Sequence, residues 1–462
     1  MFTEKNKRKY FLFSAILVIA VLAGTSFLTA FPTIPKPAGA AGGALSWDLK
    51  LANPYMLQGD DKDLVLNLKI KGEEITVSER PPVNLVLVLD RSGSMSEKGK
   101  LEYAKKAANE IISSLSSRDR LGIVAYSTNV ELMYPIQTLE NKQAARNVVN
   151  SLYPTNSTNL SGGLIEGINQ IKSVYDKEYL NRVVLLSDGL ANAGITSIHQ
   201  INNISRAASE KGISLTTMGL GASFDENMLT SIAEYGAGNY YFIESPTQIA
   251  SIFNREFGQL IKTVAKNPKI RLKLEPGVKV KDVQGYKYFE KDGGIEIVPG
   301  DLSSGQERNI LIRLDAPTDK VGNNKLARAY LEYDDIASKE PKSFSEGLDY
   351  KVTTKMGLVV KNENKDVGAR AASVDVASEL CRAAEEYEDG KLDEARQRMT
   401  QAITGLEKLN SSPLRTQGTV EQEKALRDAF GDMDAANAPA PNTEAGKSLI
   451  KKYKAQSREQ QK

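Results

Sequence analysis

From Ala44 to Ile75 apolar and polar side chains alternate: Leu45, Trp47, Leu49 and Leu51, then Leu64, Leu66, Leu68 and Ile70, with Gly59-Asp60-Asp61 between the two sets. A period of two puts the apolar set on one side of an extended chain, so the segment predicts antiparallel strands with one buried face. Pro81-Pro82 ends it. The run Val83 to Leu89 that follows is almost wholly apolar and stops at Asp90, the pattern of a strand covered on both faces in a parallel sheet. Helical stripes then alternate with short apolar strands. Leu101, Ala104, Ala108, Ile111 and Leu115 form one stripe, and Leu160, Leu164, Ile168 and Ile171 another. The strands are Leu121 to Tyr126, Val183 to Ser187, Ile213 to Leu220 and Tyr240 to Ile243. Such alternation predicts an α/β fold, a doubly wound and mostly parallel sheet with right-handed crossovers.

After Lys266 the period returns to two, with Ile270, Leu272 and Leu274, then Ile310, Ile312 and Leu314, and a last strand near Tyr350 to Val360. These read as a β-sandwich. A hairpin alone is marginal in water, so the strands of 44–75 are expected to complete this sandwich, with the α/β unit inserted into it. From Asp366 the period is helical: Ala377, Leu380, Cys381, Ala384 and Tyr387, a break at Gly390, then Leu392, Ala395, Met399, Ile403 and Leu406. The expected divisions are 1–43 as a signal peptide or membrane anchor, 44–80 as strands of the sandwich and 81–262 as the α/β domain. Residues 263–362 follow as the sandwich, 363–432 as a helical hairpin region and 433–462 as a linker and flexible tail.

Composition adds exclusions. The 462 residues hold 60 basic and 58 acidic side chains, which gives no bulk attraction to nucleic acid. One cysteine, Cys381, and one histidine, His199, exclude an intramolecular disulfide and a Cys/His zinc cluster. Lys5, Lys7, Arg8 and Lys9 precede an uncharged run from Tyr10 to Phe31, long enough to cross a bilayer as a helix, and Ala38-Gly39-Ala40 offers a cleavage pattern. Export is therefore expected: membrane-anchored and facing outside the cytoplasm, or secreted if cleaved near Ala40. Cleavage would remove five basic residues and one acidic one, turning a slightly basic chain slightly acidic.

The chemistry concentrates where the first buried strand stops, at Asp90-Arg91-Ser92-Gly93-Ser94. In open parallel sheets, ligands bind beyond the carboxyl ends of the strands. A carboxylate and two hydroxyls at alternate positions there can converge on one hard cation. Thr158 and Asp188 supply two more oxygens at equivalent strand ends. With these five positions, the segment from about Val83 to Gln259 resembles a von Willebrand factor type A domain, and they match that family's metal-ion-dependent adhesion site. The resemblance implies that Ser92, Ser94 and Thr158 give hydroxyl oxygens to a divalent ion, with Asp90 and Asp188 acting directly or through water. Mg²⁺ suits such donors, with Ca²⁺ or Mn²⁺ as alternatives. It further implies an open coordination position that an exposed Asp or Glu of a protein partner completes.

Two glycine motifs are decoys. Gly93 to Leu101 imitates a phosphate-binding loop but has five residues between its glycines and Leu101 where a hydroxyl is needed. Gly219-Leu220-Gly221 lacks the third glycine of a dinucleotide fingerprint. No nucleotide or nucleic-acid partner is expected. The resulting reading is an envelope-exposed or secreted, non-enzymatic binding protein, for adhesion or complex assembly. The alternatives are an accessory subunit of a transporter or channel, which similar channel-associated proteins suggest, and a metal-dependent hydrolase, for which the sequence offers no dedicated base.

Overall fold

The computed structural model describes residues 43–74, 80–155, 157–412, 415–434 and 438–461. The expected export segment lies outside these. Among the described residues three strands come first, β1 (Leu45–Leu51), β2 (Tyr55–Leu57) and β3 (Leu64–Gly72). In β3 every second residue is buried, so the period-two pattern becomes one packed face. Next is the α/β unit, with β4 (Val83–Asp90), α1 (Lys100–Ser114), β5 (Arg120–Tyr126), β6 (Val130–Thr138), α2 (Lys142–Asn150) and α3 (Leu160–Ser173). It continues with β7 (Leu180–Ser187), α4 (Ile198–Ser209), β8 (Ile213–Leu220), α5 (Glu226–Tyr235), β9 (Tyr240–Ile243) and α6 (Ile249–Leu260). These six strands form one sheet in the order β6-β5-β4-β7-β8-β9, parallel except for the edge strand β6. Every residue of β4, β7 and β8 is buried, because helices cover both faces. The fold is thus mixed α/β with a doubly wound sheet.

The chain then builds β10 (Thr263–Leu274), β11 (Lys279–Gln284), β12 (Tyr288–Lys291), β13 (Gly294–Ile297), β14 (Leu302–Ser303), β15 (Glu307–Asp315), β16 (Gly322–Asp335) and β17 (Pro341–Thr353). Two sheets result. One has the order β1-β3-β15-β11, and the other β12-β13-β10-β16-β17-β2 with β14 beside β10. Strands from both sides of the α/β unit therefore pair directly: Leu66 lies opposite Ile312 and Leu68 opposite Ile310. Their apolar faces, including Leu66, Ile70, Ile270, Ile312 and Leu331, share one core. Where the sandwich meets the α/β unit, buried Arg182 of β7 pairs with Glu256 of α6 and with Asp301 of the β13–β14 connection.

Among the described residues five helices follow, α7 (Met356–Lys361), α8 (Lys365–Glu388), α9 (Leu392–Asn410), α10 (Gln417–Asp434) and α11 (Glu444–Gln461). Two expectations are corrected here. The strand expected near Tyr350 to Val360 stops at Thr353, and the apolar stretch that follows is the short helix α7 with no buried residue. The tail expected to be flexible over 433–462 instead forms α11, whose Ile450 and Tyr453 join a core with Leu380, Tyr387, Met399 and Leu426. Apolar burial at two positions one turn apart, together with the buried stems of Lys451 and Lys454, holds a helix that reads as polar.

Candidate metal site at the strand ends

Asp90 is the last residue of β4 and is fully buried. Its Oδ1 accepts the Ser92 backbone N–H at 2.8 Å, which turns the chain sharply and points Ser92 and Ser94 toward the strand ends. Its Oδ2 accepts the Ser187 hydroxyl at 2.9 Å and faces the Tyr126 hydroxyl at 3.3 Å. Asp188, also fully buried, follows β7. Its Oδ1 accepts the Ser94 hydroxyl at 2.7 Å and lies 3.5 Å from the Ser92 hydroxyl, and the two serine oxygens are 3.2 Å apart.

Thr158 comes from the loop before α3. Close helix–strand contact fixes that loop: a side-chain carbon at Gly163 would lie 2.7 Å from the Tyr126 ring, and one at Gly167 2.7 Å from Val88. Asn159 caps α3, accepting the Gly162 N–H at 3.0 Å. Thr158 is tied by its backbone to Asn192, whose side chain accepts its N–H at 2.9 Å. Its hydroxyl makes no hydrogen bond to the other four residues, but it faces the same space. A side-chain carbon at Gly189 would lie 3.2 Å from the Thr158 hydroxyl and 3.7 Å from that of Ser94. Glycine at 189 keeps this oxygen-lined cradle open.

Thus four of the five sequence-predicted residues form one contact cluster, and the fifth lines the cradle beside it. Among the described residues no group of three or more His, Cys, Asp or Glu side chains is placed to hold a metal. The candidate is instead this set of two carboxylates and three hydroxyls. Oxygen-only donors with few carboxylates fit a hard divalent cation. Electrostatics agree. Burial, then the nearby Asp188 charge, raises the Asp90 pKa from 3.8 to about 6, although hydrogen bonds from Ser92 and Ser187 oppose the shift. Two carboxylates held this close and this dry call for counter-charge, which a bound cation would supply.

Sequence reasoning missed the residue that partly supplies it. Lys100 is nearly buried, and its Nζ donates to Asp188 Oδ2 at 2.7 Å, leaving Oδ1 for the serine hydroxyls. It stands at the first position of α1, where the helix dipole disfavours a cation. A lysine at such a position was the available signal that an anion lies opposite. Ser187, Tyr126 and Asn192, which position Asp90 and Thr158, carry no comparable signal in the sequence.

The tail helix reaches this same face. Buried Lys451 donates to the Phe224 carbonyl, and its Nζ lies 3.6 Å from the Phe224 ring centroid, in the connection after β8. Burial lowers the Lys451 pKa to about 8 despite neighbouring Glu226 and Asp225. Arg458 pairs with Glu226, and Glu444 pairs with Lys98, which stands between the serine loop and α1.

Comparison with known proteins gives a consistent picture. Residues 84–255 match the von Willebrand factor type A domain. The Escherichia coli (strain K12) protein YfbK is 28% identical over 279 residues, covering 58% of this chain and 48% of YfbK. The Synechocystis protein sll0103 is likewise 28% identical over 279 residues, covering 58% of this chain and 66% of that protein. The matched region thus spans under two thirds of each relative's own length. A solved structure, a von Willebrand factor type A protein from Catenulispora acidiphila, superposes with a TM-score of 0.70 at 16% identity, covering 90% of this chain and 96% of that one. That likeness extends over the sandwich and helices as well as the α/β unit, and at such identity it concerns the fold.

Proposed function

The chain carries a von Willebrand factor type A domain, and from that premise we propose that it is a protein-binding module that captures an acidic side chain of a partner through a divalent ion, Mg²⁺ first among candidates. The observation that supports this most is the convergence of the Ser92, Ser94 and Asp188 oxygens at the ends of parallel strands, with Asp90 held beneath them. In this reading Ser92, Ser94 and Thr158 hold the ion directly, while Asp90 and Asp188 supply negative charge directly or through water. When bound, the ion supplies an electrophilic site for a carboxylate. Lys100 keeps one Asp188 oxygen occupied, so the protein offers little direct anionic charge and the ion keeps its pull on an outside anion.

Binding is favoured over hydrolysis because the side chains around the oxygens are committed to holding one another. His199, the single histidine, is exposed on α4 with Asn203 of the same helix as its polar neighbour. The export segment supports placement outside the cytoplasm, either anchored or released. Mass spectrometry of the exported protein distinguishes the two, and a chain starting near Ala41 rejects the anchor.

The direct test is Mg²⁺-dependent thermal stabilisation. A ligand that binds only the folded state stabilises it by about 2.7 kcal/mol at 100 times Kd. The wild type should show a saturable shift and Thr158→Ala a shift that needs at least about tenfold more Mg²⁺. Equal responses would remove Thr158 from the site, and the absence of any wild-type response would remove the metal.

A further inference from the structure

Tyr153 and Leu190 are 63% and 61% exposed, the two most exposed large apolar side chains among the described residues, and both stand beside the metal loops. Tyr153 precedes Thr155, whose N–H donates to the Arg91 carbonyl at 2.6 Å, and its ring lies 5.3 Å from the Arg91 guanidinium carbon. Leu190 follows Gly189, the residue that faces the Thr158 and Ser94 hydroxyls. In the sheet order, Arg91 leans toward β5 and β6, through its N–H to the Tyr126 carbonyl and its side chain to Glu131, whereas Leu190 leaves β7. The two apolar side chains therefore lie on opposite sides of Asp90.

The two segments that carry these side chains are themselves uncharged. In a chain with 26% charged residues, no Asp, Glu, Lys or Arg occurs from Asn147 to Ile165 or from Gly189 to Ser205, the two segments that carry Tyr153, Thr158 and Leu190. The charged side chains around the oxygen cluster are paired, Arg91 with Glu131, Lys98 with Glu444 and Lys100 with Asp188, while exposed Glu97 reaches Lys100 only at 3.8 Å. One aromatic and one aliphatic group thus stand in solvent beside the candidate ion. Isolated exposed apolar residues need no explanation, but the two largest exposures converging on one candidate site do.

We infer that the partner presents its carboxylate within a short segment that carries large apolar side chains on both sides of the acidic residue, one packing on Tyr153 and the other on Leu190. This rests on the proposed metal-mediated capture. It adds the partner's chemistry: a carboxylate for the ion and apolar flanks for the two side chains. An aromatic or aliphatic anchor on a rigid rim is the arrangement that concentrates binding energy in few residues.

The test uses the whole chain and capped peptides: Gly-Leu-Glu-Phe-Gly, Gly-Gly-Glu-Gly-Gly and Gly-Leu-Gln-Phe-Gly, measured by competition in Mg²⁺ and in chelator. The flanked glutamate peptide should bind at least about tenfold tighter than the glycine-flanked one, and the glutamine peptide and all chelator samples should show no binding. Tyr153→Ser and Leu190→Ser should each cut that advantage to about threefold or less while leaving Mg²⁺ binding unchanged, which separates flank contacts from damage to the site. Equal affinity of the two glutamate peptides would overturn the apolar flanks and leave metal-mediated capture standing. Binding of the glutamine peptide, or binding in chelator, would overturn the capture mechanism itself. No binding by either glutamate peptide at millimolar concentration would overturn both.

Discussion

Replacing Asp90 by Asn should stabilise the metal-free protein, although it removes a carboxylate from the candidate site. Asp90 ionises at about 6 in the fold, against 3.8 when unperturbed, because burial and the Asp188 charge penalise its anion. A carboxylate whose folded pKa is raised binds its proton more tightly in the folded state, so the metal-free protein loses stability as pH rises from about 4 to 6 and carries the full penalty above 6. At about 1.4 kcal/mol per unit, the penalty amounts to about 3 kcal/mol at pH 7.5 and under about 1 kcal/mol at pH 4. Asparagine is nearly the same shape. Its Oδ1 can still accept the Ser92 N–H, and its amide can donate to the Ser187 oxygen in place of accepting from it. The variant should therefore gain on the order of 1–3 kcal/mol in chelator at pH 7.5, an advantage that shrinks toward zero by pH 4. At saturating Mg²⁺ the order should reverse, because the ion stabilises the wild type and not the variant. Urea unfolding of both proteins at the two pH values, with chelator and with Mg²⁺, reads all of this. A variant no more stable than wild type in chelator at pH 7.5, or an advantage that does not change with pH, would refute the argument that Asp90 is held ionised at a cost awaiting a cation.

Three further outcomes follow from the same geometry. Lys100→Met removes a cation beside the candidate ion and frees Asp188, so Mg²⁺ affinity should rise by about tenfold or more in calorimetric titration while the metal-free protein loses stability. Gly189→Ala places a methyl group 3.2 Å from the Thr158 hydroxyl, and Mg²⁺ binding should weaken by at least about tenfold, with far-UV dichroism unchanged. Ile450→Ala empties part of the core shared with Leu380 and Tyr387 and should cost about 2–4 kcal/mol locally, so that limited proteolysis cuts within 438–461 while residues 84–255 stay protected.

Much of the architecture was legible because one physical rule sufficed for each part. Burial on one face gives Leu64, Leu66, Leu68 and Ile70 their alternation, and burial on both faces gives Val83 to Leu89 its unbroken run. The site was legible for a similar reason: strand ends in an open parallel sheet gather whatever follows them, so oxygen donors at Asp90, Thr158 and Asp188 meet although they are distant in sequence. The missed features depend on partners that no local pattern shows. The edge strand β6 is mostly exposed and contains Pro135, so it lacks the apolar run of its neighbours. In α11, Lys451 and Lys454 look like solvated charges, yet both are buried, one against Phe224 and the other against Glu388. The Met-Gly-Leu-Val-Val stretch at 356–360 has the composition of a strand, but no sheet edge accepts it beyond Thr353, and it turns into an exposed helical turn. Lys100 reads as a helix residue until Asp188 is placed opposite it.

In the proposed function these side chains hold a divalent ion with a position open to an outside carboxylate. Anomalous diffraction from crystals grown with Mn²⁺ tests it most directly. One strong peak is expected among the hydroxyls of Ser92, Ser94 and Thr158, with oxygen ligands at about 2.0–2.4 Å and at least one ligand not contributed by the protein. A peak bound elsewhere, a shell closed entirely by protein carboxylates, or no peak at saturating Mn²⁺ would contradict it.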